Sequence, residues 1–264
     1  NALMAAQVAV CTVLLCAAGL MIRSFQRSLA TDPGFTTDGV LALRYDLAST
    51  GYPPERIEVL QQQIRSRLRS EAKVHAVALA AAPPLSDRPT ITVSVPGAGG
   101  EELRTSSSFN RVSPEFFGLL GIPMVAGRTF TEGEAAAGAR VAVVSAATAR
   151  RLWPRKPAVG QRFRIQSDAG LPWFEVVGVA ADTRSVWLSR VDESYVYLPF
   201  DRRAREPNVA LIAVDRDTAA ARTALTDSVQ RVDAELPVSA ESMHDVLNRW
   251  RLLPLTGSDR RAHV

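Results

Sequence analysis

Cysteine, lysine and histidine are scarce in this 264-residue chain, and each scarcity narrows what it can do. The two cysteines, Cys11 and Cys16, both fall in one apolar run near the start. Five positions apart on a helix they point in different directions, which excludes a disulfide or a shared metal site between them. No cysteine lies beyond them, so cysteine usage assigns no redox compartment. His75, His244 and His263 lie far apart with no ligand spacing and read as surface or helix-edge residues. Lysine occurs only at Lys73 and Lys156; arginines mixed with acids make up the rest of a net charge of +4. No dense basic stripe interleaved with aromatics occurs, which argues against nucleic-acid binding.

Catalytic signatures are missing as well. There is no Walker motif, dinucleotide fingerprint, HExxH or G-x-S-x-G. Ser113 and Ser145 each stand where a helix is expected to start, so capping accounts for both without a nucleophile role. Glu101 and Glu102 beside a glycine turn read as a solvated loop rather than a paired-carboxylate site. Gly97-Ala98-Gly99-Gly100 is followed by polar Thr105-Ser106-Ser107-Ser108, not by the helix a phosphate cradle needs. Phe116, Phe117, Trp153, Trp173 and Trp187 read as packing residues. The chain reads as a non-enzyme, with no catalytic residue, cofactor or metal site.

Charge is absent altogether from residues 1–22. About 20 apolar residues at 1.5 Å rise span a bilayer core of roughly 30 Å, so residues 1–23 read as a transmembrane helix ended by Arg23. A secretory signal peptide fits less well: no basic residue precedes the run, the run is too long, and Arg23-Ser24-Phe25-Gln26-Arg27 suits cleavage poorly. Arg23 and Arg27 taken alone vote for a cytoplasmic location of the globular part. A start at Asn1 rather than Met fits a piece of a longer protein.

Downstream, Leu41, Leu43, Tyr45 and Leu47 alternate as in a half-buried strand. Pro53 and Pro54 open a helix with Ile57, Leu60, Ile64 and Leu68 on one face and Arg65, Arg67 and Arg69 toward water. A second apolar run, residues 74–82, ends at Pro83-Pro84. The same order returns later: a strand over 209–214, a helix over 218–236 with Leu225, Val229, Val232 and Leu236 on one face, and an extended piece from Pro237. Between the two β-α-β halves lies a strand-rich stretch. Ile91, Val93 and Val95 alternate before a hairpin turn; a helix is expected from Ser113 to Gly121, strands at 141–144 and 174–179, and a short helix ending before Pro154. The expected fold class is α+β, one porter-like subdomain (36–88 and 192–250) carrying an inserted strand-rich subdomain (89–191). A joint between them is expected near residues 184–192, and residues 251–264 form a polar tail.

These residues resemble the MacB-type ABC transporter permeases, within the FtsX-like permease superfamily. The resemblance runs through Gln7-Val8-Ala9, Asp32-Pro33-Gly34-Phe35, Val112-Ser113-Pro114-Glu115-Phe116-Phe117, Gly121-Ile122-Pro123 and Ala126-Gly127-Arg128. It continues through Ala149-Arg150-Arg151-Leu152-Trp153-Pro154, Val176-Val177-Gly178-Val179, Tyr195-Val196-Tyr197-Leu198-Pro199 and Val232-Asp233-Ala234-Glu235-Leu236-Pro237-Val238. The second repeat of the long two-repeat permeases is the nearest likeness. The resemblance implies a bacterial inner-membrane anchor with the globular part periplasmic, against the weak charge vote. It implies chemistry in a separate ABC ATPase subunit reached through further membrane helices, a paired permease, and a periplasmic adaptor or substrate protein as partner. Asp32, Pro33, Gly34 and Phe35, with Leu198 and Pro199 in the 198–205 region, are the candidate motion-coupling residues. The relatives continue into apolar helices where this sequence turns polar after Trp250, so a fragment, frameshift or split gene product is expected. A membrane-anchored extracytoplasmic adaptor without transport activity is the alternative, and a hydrolase a distant third.

Overall fold

The computed structural model describes residues 2–29, 32–47, 49–86, 89–97, 101–166, 170–186, 188, 191–201 and 208–252. Trp187, Ala98, Gly99, Gly100, His263, residues 202–205 and most of the polar tail lie outside these residues. The chain divides into two units, Asn1–Asp32 with Arg251–Val264, and Pro33–Trp250.

The first unit contains α1 (Ala2–Leu29), in which Met4, Val13, Leu14, Leu15, Leu20 and Met21 are exposed. Among the described residues no helix is long and apolar enough to cross a membrane.

In the second unit the order is β1 (Val40–Tyr45), α2 (Pro54–Arg69), β2 (Val74–Ala80), β3 (Thr90–Pro96), β4 (Glu102–Val112), α3 (Phe116–Leu119), β5 (Met124–Gly127), α4 (Glu132–Ala136), β6 (Val141–Ser145) and α5 (Ala146–Leu152). It continues with β7 (Arg162–Ile165), β8 (Trp173–Ala180), β9 (Tyr195–Pro199), β10 (Asn208–Val214), α6 (Ala219–Gln230), β11 (Val238–Ser242) and α7 (Met243–Leu252).

The two β-α-β halves interleave. Strands run in the order β11-β1-β10-β2, each antiparallel to its neighbour, so β10 separates β1 from β2. Period-two alternation gives this sheet two apolar faces. Leu41, Leu43 and Tyr45 join Ile57, Ile64 and Leu68 of α2 and Leu225 and Val229 of α6 in one core. Val40 and Ala42 point the other way, into a second core with Phe35, the α3 aromatics, and Met243, Val246 and Leu247 of α7. Burial on both faces corrects the half-buried reading of β1: Val40, Leu41, Ala42, Leu43 and Tyr45 are all buried.

The remaining strands close on themselves. Pairings run β4–β3–β7–β8–β6–β9 and return from β9 to β4, with β5 added along β8. Val95, Val144, Phe163, Val176, Val196 and Leu198 pack within this ring. β9 follows residue 192, where the sequence returns to the porter-like halves, yet it hydrogen-bonds with the ring strands β4 and β6. The ring meets the open sheet at the Ala80–Val112 pair.

Three further local expectations are corrected. Ser145 caps α5 by accepting from the Thr148 N–H at 3.2 Å, but Ser113 does not cap α3; its Oγ accepts the Leu79 N–H at 3.0 Å and so holds β2. The helix expected to reach Leu236 stops at Gln230, and Leu236 is buried from the following loop. Arg65 does not face water; it lies between Glu115 and Glu132 with 13% of its side chain exposed.

Candidate functional site

Four stretches of chain converge where the open sheet and the ring meet: residues 33–36, Leu85, residues 182–192 and Trp250. The first is the continuation of the chain from α1. Pro33 is buried, and its carbonyl accepts the Arg184 N–H at 2.9 Å. Gly34 has φ +79° and passes so close to the neighbouring segment that a Cβ would lie 3.0 Å from the Asp182 carbonyl oxygen. Only glycine combines that backbone with that approach. Phe35 then enters the second core beside Phe117, Leu188 and Tyr197, and the Thr36 N–H donates to the Leu120 carbonyl at 2.7 Å.

Leu85 is the centre of the joint. Its φ of +58° is uncommon for a bulky side chain. The Leu85 N–H donates to the Ser185 carbonyl at 2.6 Å, and the Leu85 carbonyl accepts Trp250 Nε1–H at 2.7 Å. Thus the chain entering the ring, the connection between ring strands β8 and β9, and the helix that carries Trp250 are tied at one residue. Asp192, 6% exposed, accepts the Ser185 and Val186 N–H groups at 2.8 and 3.2 Å, while its own N–H donates to the Thr183 carbonyl at 3.0 Å. Asp182 extends the connection to α5, accepting the Ala147 N–H at 2.6 Å and Arg150 at 2.7 Å. Burial pushes the Tyr197 phenol well above its usual range, so it stays protonated beside this segment.

A separate ionic cluster ties α2 to the starts of α3 and α4. Arg65 of α2 pairs with Glu115 and Glu132, and Arg69 reaches Glu115 at 2.5 Å. Burial works against ionisation of Glu115, but hydrogen bonds and the two guanidiniums win and hold its carboxyl below the ordinary value.

Of the sequence candidates, Pro33, Gly34 and Phe35 lie in the joint and Asp32 is exposed. Leu198 and Pro199 lie in the ring wall: Leu198 is 3% exposed inside it, and Pro199 pairs with Val112, the residue through which the ring meets the open sheet. Sequence reasoning missed Leu85, Ser185, Asp192 and Trp250 as individual residues. The Pro83-Pro84 break and the expected linker at 184–192 flagged the segments, but nothing flags a leucine for left-handed backbone. The polar groups of the joint are largely engaged with one another. Among the described residues no group of three His, Cys, Asp or Glu side chains could hold a metal ion.

The family described as the MacB-like periplasmic core domain matches residues 2–236. No curated protein matches the sequence. Among solved structures, the periplasmic region of MacB from Actinobacillus actinomycetemcomitans is similar with a TM-score of 0.55 and 14% identity, covering 88% of this chain and 99% of that one. The extracellular domain of the noncanonic ABC-type transporter YknZ from Gram-positive bacteria gives a TM-score of 0.47 at 17% identity, over 76% and 98% of the two chains.

Proposed function

The chain belongs to the family of MacB-like periplasmic core domains, and from that premise we propose that it couples movement in the membrane to its extracytoplasmic ring as part of an ABC-type exporter or lipoprotein-handling machine. The observation that carries this reading is the joint. The segment that follows α1 ties through Pro33 to Arg184, between ring strands β8 and β9, and α7 ties through Trp250 to Leu85, on the chain that enters the ring. A pull on either end is, in this reading, passed to the ring through these bonds. In this reading residues 1–23 cross the bacterial inner membrane, ATP is hydrolysed by a separate ABC subunit, and the chain itself is non-catalytic. A paired permease and a periplasmic adaptor or substrate protein complete the assembly. The uncharged run of residues 1–22 supports the anchor.

The test is protease accessibility of the full chain in carbonate-washed membranes, before and after the outer membrane is opened. Retained protein cut only from the periplasmic side is the expected result. Release by carbonate, or cutting only from the cytoplasmic side, overturns the reading.

A further inference from the structure

A cavity of about 560 Å³ opens between the start of β2, the end of β10 and the first turns of α6, away from the joint. Its volume lies within the roughly 300–1,000 Å³ of small-molecule sites. The floor is apolar: Val74, Val214, Ala221, Ala224 and Leu225. The rim is charged, and its charges divide into two kinds. The acids are already occupied, Asp215 by His75, and Glu71 by Ser228 at 2.7 Å together with Arg67 and Arg231. The cations are not: Lys73 and Arg216 have no carboxylate partner among the described residues. Lys73 is held there by a left-handed backbone, φ +75°.

We propose that this cavity binds a single-chain amphiphile with an anionic head, the chain on the alanine and valine floor and the head between Lys73 and Arg216. With Glu71 offset by Arg67 and Arg231, Lys73 and Arg216 stand against the single carboxylate of Asp215, and the net positive rim selects the sign of the head; the apolar lining selects a tail over a free anion. The start of α6, capped by Thr218, adds a favourable dipole for the same sign.

Photolabelling tests this on the full chain in lipid nanodiscs, with a diazirine-bearing decanoic acid as probe and peptide mass spectrometry as readout. Label is expected on residues 71–74 and 214–225, displaced by decanoate but not by decyltrimethylammonium or acetate. Replacing both cations, Lys73→Ala with Arg216→Ala, should lower it roughly tenfold, the worth of one charge-assisted hydrogen bond or so. Ala221→Leu, which fills the floor and leaves both cations, should remove it, with an unchanged melting curve showing that the fold is kept. Label confined to α1, equal displacement by the cationic amphiphile, or no loss in the double variant would overturn the proposal.

Discussion

At Gly34, as at Gly39 and Gly127, two demands coincide. The backbone is left-handed and the space for a Cβ is already taken, whereas Gly138, also left-handed at φ +62°, has nothing within 4 Å of its Cβ position. Gly138→Ala should therefore cost only the conformational penalty, about 1 kcal/mol. Gly34→Val adds a clash with the Asp182 carbonyl, and its expected cost is about 2–4 kcal/mol. Chemical denaturation of the full chain, followed by tryptophan fluorescence, separates the two; equal losses would remove the close approach from the account. Trp250→Phe keeps an aromatic ring but withdraws the donor from the Leu85 carbonyl, and should cost about 1 kcal/mol in the same assay. The residue scale also marks where sequence reading stops. Ser113 and Ser145 look alike as helix-start serines, yet one binds its own helix and the other a strand thirty-odd positions away (Leu79). That difference depends on tertiary neighbours, which spacing does not encode.

One short helix survives here because its first turn is fixed by side chains. α4 has five residues, far fewer than an isolated helix needs. Thr131 and Glu134 cap each other across its first turn at 3.1 and 2.8 Å, and Arg128 grips Glu134 with two nitrogens at 2.8 Å. Hydrogen bonding from Arg128 first, and from the Thr131 N–H next, lowers the Glu134 carboxyl from 4.5 to about 2. A depressed folded value means the contribution is whole above pH 4.5 and is lost as pH falls toward 2. Thermal unfolding against pH should show the deficit of Glu134→Gln shrinking over that window; a deficit independent of pH would rule out the carboxylate as its source. Between elements, Arg65→Met should cost roughly 1–3 kcal/mol because it leaves Glu115, half buried at the start of α3, with only Arg69. Long periodic elements such as α2 and β10 were legible in the sequence because burial follows their period. The eleven-residue β4 was not: Thr105-Ser106-Ser107-Ser108 is polar, and Ser107 is buried with its hydroxyl meeting that of Ser194 at 2.9 Å beside the β4–β9 pairing.

At the scale of the whole molecule, the sequence disclosed the repeated β-α-β order but not the interleaving that sets β10 between β1 and β2, since nothing local specifies which strand is a neighbour. If the joint transmits motion, spin labels at exposed Val59 and Leu171, one on α2 and one beside the ring, should show a distance distribution that shifts with nucleotide when the chain is held in membranes with the ABC ATPase subunit that the proposed function requires. Phe35→Ala, which empties part of the shared core, should blunt that shift; an unaltered response would place the coupling elsewhere. The interleaving has a kinetic consequence too. The open sheet lacks an inner strand until residues 208–214 are available, and the ring lacks its closing strand until residues 195–199 are. Neither can be completed by a nascent chain that has not yet delivered residues 195–214. Until then, both carry unpaired strand edges, which invite pairing with other chains. Maturation should thus be late and nearly simultaneous for the two parts, with a premature stop before residue 195 producing an aggregating product rather than half a protein.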